Sequence, residues 1–229
     1  YSKNVLVSEK EIEHRFLIKK KEYEVVASTP KQYPTYTVND YQDYLEAKEN
    51  CNTDMFWIVD ADALLMDDFD FSYEPDKDNL NTVHVWRAMN PVNDLVYGNG
   101  GVKLFPRQLT IDMDTSKADM TTSITNRFKA MPEISNIAKF NTDPFNTWKS
   151  AFRECTKLAS KVIERQKDDE TEKRLDVWCT KGEEREFGSF CIRGARSGRD
   201  FGIANRNNPD TLKLINDFAW LKEQFDEDI

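Results

Sequence analysis

Met55-Phe56-Trp57-Ile58-Val59-Asp60-Ala61-Asp62 decides how this chain is read. A short unbroken apolar run has the length of a strand. A run apolar on both faces marks a buried strand, usually in a parallel sheet. Two carboxylates follow at once, one residue apart, where the chain leaves the sheet. In open α/β sheets, ligands bind beyond the carboxyl ends of strands. A magnesium or manganese ion takes hard oxygen ligands and shares them with substrate phosphates. Asp60 and Asp62 suit such an ion: one can hold it while the other orients a ribose or a metal-bound water. Ala61 between them leaves room for a nucleotide. The plain alternative is a turn after a strand, where Asp is common. The apolar strand and the further carboxylates Asp67, Asp68 and Asp70 favour the functional reading.

Outward from this segment, the pattern is α/β. Strands are expected at Asn4–Val7, Arg15–Ile18 and Tyr23–Ala27, with a loop at Tyr33-Pro34-Thr35-Tyr36. A helix is expected over Asp40–Glu49, with Tyr41, Tyr44, Leu45 and Lys48 on one face. Asn81–Arg87 and Gly101–Phe105 read as further strands. Thr142-Asp143-Pro144 is a strong helix start. Trp148, Phe152, Cys155, Ala159 and Val162 then recur at helical spacing, to about Gln166. Lys167–Lys173 reads as a charged solvated stretch. A last helix follows Asn208-Pro209-Asp210, its apolar face including Leu212, Ile215 and Phe218, with Leu221 or Ala219. The acidic tail Asp226-Glu227-Asp228 is expected to fray. The domain expected over residues 1–205 carries this helix and tail, 206–229, on or beside it.

Composition sets outer limits. The 229 residues carry a formal net charge of −9, which does not advertise a phosphate-backbone partner. Cys51, Cys155, Cys179 and Cys191 include no CxxC pair, so a zinc site is not expected. Their thiols read as reduced, which implies a cytoplasmic protein. No apolar run approaches the roughly 20 residues of a membrane span, so no membrane partner is expected. Arg193, Arg196 and Arg199 alternate with Gly194 and Gly198 in what reads as a loop. Guanidinium forks there can wrap a diphosphate and stabilise a leaving nucleotide, or can touch a nucleic-acid backbone.

Three more segments join Phe56–Asp62 in a resemblance. They are Val83–Arg87 with Asn90-Pro91-Val92-Asn93-Asp94, Tyr97–Pro106, and Phe140–Trp148. Over roughly Met55–Gly202 the chain resembles GT-A glycosyltransferases of tailed phages, a group linked to base-J-type DNA glucosylation. The resemblance implies a GT-A, Rossmann-like fold with a mixed, mainly parallel sheet flanked by helices. It also implies a nucleoside-diphosphate sugar donor, UDP-sugar favoured, and Mn2+ or Mg2+ on Asp60 and Asp62. Asn99, Gly100 and Gly101 look like the glycine stretch that lines the donor, where glycines let backbone approach a ligand; a turn before a strand is the alternative. Asp143 takes the place of the base that accepts the acceptor proton, with a helix cap as the plain alternative and Glu154 in reserve. Trp148, one turn on, would face the sugar or lie in the core. The acceptor hydroxyl can belong to a hydroxymethylated base in phage DNA, a glycan or a protein. Many GT-A enzymes add a C-terminal His ligand; this chain has only His14 and His84. Two other readings stay open: a GT-A-like binding domain without catalysis, and a DxD phosphatase of the haloacid-dehalogenase kind. The latter normally has Thr or Val where this chain has Leu64.

Overall fold

The computed structural model describes residues 35–38, 49, 51–98, 100–111, 125, 127–161 and 168–229. The three strands expected before residue 28, the expected helix 40–49 apart from Glu49, and Asn99 lie outside these residues. The described residues fall into two compact units. One holds the sheet; the other holds residues 90–95 and the chain from Lys139 onward.

Among the described residues the sheet unit contains seven strands: β1 (Thr35–Val38), β2 (Met55–Asp60), β3 (Ala63–Leu65), β4 (Val83–Met89), β5 (Val96–Tyr97), β6 (Val102–Pro106) and β7 (Phe128–Ala138). The short helix α1 (Arg107–Ile111) follows β6. The strand order is β1-β2-β6-β4-β7-β3, with β5 on β4. β1 runs parallel to β2, and β4 parallel to β7; the other neighbours are antiparallel. The fold is therefore mixed α/β, but among the described strands antiparallel pairing prevails where a mainly parallel sheet was expected. The cause is β6, which enters reversed between β2 and β4, and β3, which adds reversed to the far side of β7. Thr35 and Tyr36, expected in a loop, instead pair with Trp57 and Ile58 in β1.

Strand alternation sorts the side chains of β2. Met55, Trp57 and Val59 join Trp86, Val102, Leu104, Phe69 and Phe71 in one apolar cluster. Trp57 sits at its centre, with ring centroids 5.0 Å from Phe71 and 4.8 Å from Trp86. Burying each such side chain contributes about 1.5–3 kcal/mol. Phe56 and Ile58 point to the other face, where Phe56 stacks on Phe105. Both faces of β2 are buried, as its composition requires.

The second unit is helical: α2 (Pro144–Ser160), α3 (Asp168–Thr180), α4 (Gly188–Ala204), α5 (Pro209–Leu212) and α6 (Phe218–Asp228). α2 ends before the expected Gln166, because Lys161 turns left-handed at φ 58°. The charged stretch expected to be solvated coil is, from Asp168, the first turn of α3, where Asp168, Asp169 and Glu170 complement the helix dipole. The single last helix is divided at Asp217, whose carboxylate accepts from the Ala219 and Trp220 N–H groups and starts α6 afresh. The acidic tail is docked rather than frayed: Asp228 accepts hydrogen bonds from Trp148 Nε1 and Ser197 Oγ.

Candidate functional site

β1, β2, β4 and β7 all run the same way, so their carboxyl ends share one edge of the sheet. Asp60 ends β2, and the turn Ala61-Asp62 leads into β3. Because β3 pairs with β7 and not with β2, this turn carries the chain across that edge. Asp62 is exposed there and Asp60 half-buried.

The same edge gathers Gly100, Gly101, Lys103 and Asn136. β6 begins opposite the end of β2, with Val102 paired to Val59 and Lys103 to Ile58. Lys103 and Asp60 are thus diagonal neighbours on one face, within reach of a long side chain. Lys103 Nζ lies 3.0 Å from Asp60 Oδ1, with side-chain exposures of 4% and 34%. The Asp60 N–H donates to the Gly101 carbonyl at 2.8 Å. Gly100 has φ +87°, and a Cβ there would come within 2.6 Å of Lys103 Cε. A side chain at 100 would be strained by the positive φ, and the lysine end would have to shift to admit it. A Cβ on Gly101 would lie 2.7 Å from Asn136 Nδ2. Asn136 is fully buried. Its Oδ1 accepts from Ser135 Oγ at 2.8 Å, and its Nδ2 has no hydrogen-bond partner among the described residues.

The donor chemistry suits an ion that completes its shell from a substrate. Asp60 and Asp62 supply hard carboxylate oxygens. No group of three or more His, Cys, Asp or Glu able to hold a metal occurs among the described residues. Mg2+ and Mn2+ are commonly held this way, by one or two carboxylates, water and phosphate oxygens.

The other expected site residues belong to the helical unit. Asp143 is the N-cap of α2. Oδ1 accepts from the Asn146 N–H at 2.8 Å and Oδ2 from Asn146 Nδ2, with Thr142 Oγ1 at 3.3 Å. The Asn146 backbone bond is the main reason its pKa is lowered below the usual carboxylate value. That shift costs it strength as a base. Trp148 does not face a sugar. It is wholly buried, stacks on Phe152 at 4.8 Å and donates Nε1 to Asp228 at 2.6 Å. Glu154 lies in α2.

Arg193, Arg196 and Arg199 are not in a loop. They lie in α4, whose Gly194, Gly198 and Gly202 follow a four-residue spacing that faces α2. Arg193 Nη1 donates to the Asp228 carbonyl at 3.0 Å, Arg196 Nε to the Cys179 carbonyl at 3.0 Å, and Arg199 pairs with Asp200 at 3.2 Å. The glycines read as a phosphate-wrapping loop are there because helix meets helix.

The chain matches no protein-family model, no curated protein and no solved structure. No helix among the described residues is long and apolar enough to cross a membrane. All four cysteines are free and buried. Cys155 lies in the core as its helical spacing predicted. Lys103 and Asn136 were absent from the sequence reading. A lone charge in Val102-Lys103-Leu104-Phe105, and polar Ser135-Asn136 inside an apolar stretch, were the signals that could have found them.

Proposed function

We propose that this chain is a GT-A-type glycosyltransferase that moves a sugar from a nucleoside-diphosphate donor, UDP-sugar favoured, to an acceptor hydroxyl. The observation that supports it best is the Asp60-Ala61-Asp62 turn. It ends a strand buried on both faces and crosses the edge where four described strands present their carboxyl ends. In this reading Asp60 and Asp62 hold Mn2+ or Mg2+, and Gly100-Gly101 brings backbone close to the donor, with Asn99 beside it. Held there, such an ion would supply positive charge to offset that of a departing diphosphate. Asp143 is the base the resemblance points to, and its lowered pKa makes it a weak one. The acceptor hydroxyl of this reading includes that of a hydroxymethylated base in phage DNA.

The capping role of Asp143 favours one second reading, a GT-A-like domain that binds a nucleotide sugar without turning it over. Hydrolysis of UDP-glucose and other UDP-sugars with manganese separates the two. An active transferase releases UDP slowly without acceptor. Asp62→Ala then lowers turnover by about 10²-fold or more, the size typical of losing one electrostatic stabiliser of a transition state. Absence of turnover alongside metal-dependent UDP binding selects the binding domain. Binding and turnover both unchanged in Asp62→Ala would sink the proposed site.

A further inference from the structure

We propose that Lys103 makes divalent-ion binding and nucleotide binding at this edge depend on each other; the inference rests on the donor-site reading above. Its basis is a buried ammonium that meets the carboxylate pair at one point. Lys103 is 4% exposed and reaches Asp60 Oδ1 at 3.0 Å. Its stem passes beneath Gly100, so tightly that a Cβ there would meet Cε at 2.6 Å. At 4% exposure the ammonium sits inside this edge, against Asp60, rather than out in solvent.

This placement sets the local charge. Lys103 places one positive charge directly against Asp60, one of the two carboxylates proposed to hold the ion. A divalent ion arriving alone meets a cation that already engages Asp60. A diphosphate arriving alone meets the two carboxylates, with the ammonium already engaged by one of them. Arriving together they complement this edge, because the phosphate oxygens ligate the ion and accept from the ammonium. A second, independent feature points to a ligand. Asn136 is wholly buried against Gly101, and its Nδ2 donor has no acceptor among the described residues. Most buried donors are satisfied, and an oxygen-rich ligand at this edge would supply the missing acceptor.

The test is calorimetry and Mn2+ electron paramagnetic resonance on the full chain, with Mn2+ alone, UDP alone and both. The wild-type protein is expected to bind each weakly alone and both together more tightly. Lys103→Met is expected to bind Mn2+ alone about tenfold more tightly, and UDP in the presence of Mn2+ about tenfold more weakly. These opposite signs exclude a merely structural role, which would weaken both. Lys103→Arg keeps the charge and should retain the coupling. If Lys103→Met fails to fold by circular dichroism, Lys103→Gln carries the same expectation. Mn2+ affinity that is unchanged or lower in the neutral variant overturns the inference while leaving the donor site standing. A wild-type protein that binds no nucleoside diphosphate with any divalent ion overturns the donor-site reading and this inference together.

Discussion

Among the described residues, two basic side chains lie inside the sheet unit, and they meet the cost of burial differently. Lys103 is held against Asp60. His84, wholly buried on β4, makes no hydrogen bond of normal geometry through either ring nitrogen among the described residues. It packs beside Tyr73, with ring centroids 5.3 Å apart. Desolvation first, and the charge of Lys129 second, lower its pKa from 6.5 to about 4; the Thr82 backbone and Asp76 oppose this without reversing it. The ring is therefore neutral in the fold at pH 7. Between about pH 6.5 and about pH 4 the unfolded chain binds the proton more readily than the folded one. Stability is then expected to fall as pH drops through that window. Urea titrations at pH 7, 6 and 5 check this, with His84→Phe expected to flatten the profile over that range. Parallel profiles in both proteins would show that the imidazole is not the source. Asp70, Asp143 and Asp168 have lowered pKa values, so their contributions are present above the usual carboxylate pKa and are lost at more acidic pH, alike in both proteins.

Among the elements, the contact of α2 with α4 shows how packing overrides local preference. α4 contains four glycines, each of which disfavours helix by about 1 kcal/mol against alanine. Gly194, Gly198 and Gly202 meet the carbonyls of Trp148, Phe152 and Thr156, where an added Cβ would lie 2.3, 2.2 and 2.6 Å away. Thr156 Oγ1 donates to the Gly198 carbonyl at 3.0 Å, closing the seam. Gly198→Ala is expected to destabilise by about 1–3 kcal/mol despite its better helix propensity, the usual cost of overpacking. Gly202→Ala should cost less. Urea midpoints at constant m-value measure both, and a stabilised Gly198→Ala would mean that the helices do not approach so closely. This seam also explains what the sequence concealed. β2, β4 and β6 were legible because apolar runs of strand length have few other uses, and the start of α2 because Asp-Pro is an N-terminal signal. α4 was not, since its glycines signal a loop until a partner helix is known. β7 was missed because Pro132 and two register shifts erase its alternation. At the candidate site, Asp60 and Asp62 stand out by adjacency along the chain, and Gly100-Gly101 by the resemblance. Lys103 and Asn136 enter only through cross-strand register, which a single sequence does not contain.

For the whole molecule, charge bears on the DNA acceptor considered in the proposed function. Lys and Arg number 32 against 41 Asp and Glu, a formal net charge of −9. Non-specific binding to duplex DNA draws on cations that displace condensed counterions from phosphates. The three arginines first assigned to phosphate contact are engaged within the helical unit, two on backbone carbonyls and one on Asp200. A duplex acceptor would thus have to be recognised without a general pull towards its backbone. A base acted on in DNA must also leave the stack or be single-stranded to present its hydroxyl to an enzyme. Unmodified 20-base-pair duplex at 0.15 M salt is therefore expected to bind no tighter than about 10⁻⁴ M, the weak end of ordinary non-specific affinity. Fluorescence anisotropy across a salt series measures it, with a single-stranded hydroxymethylcytosine oligonucleotide alongside. A micromolar duplex complex that weakens steeply with salt would reveal a basic face strong enough to outweigh the net charge and would favour double-stranded DNA as the acceptor. Binding confined to the modified single strand would instead place recognition at the hydroxyl-bearing base.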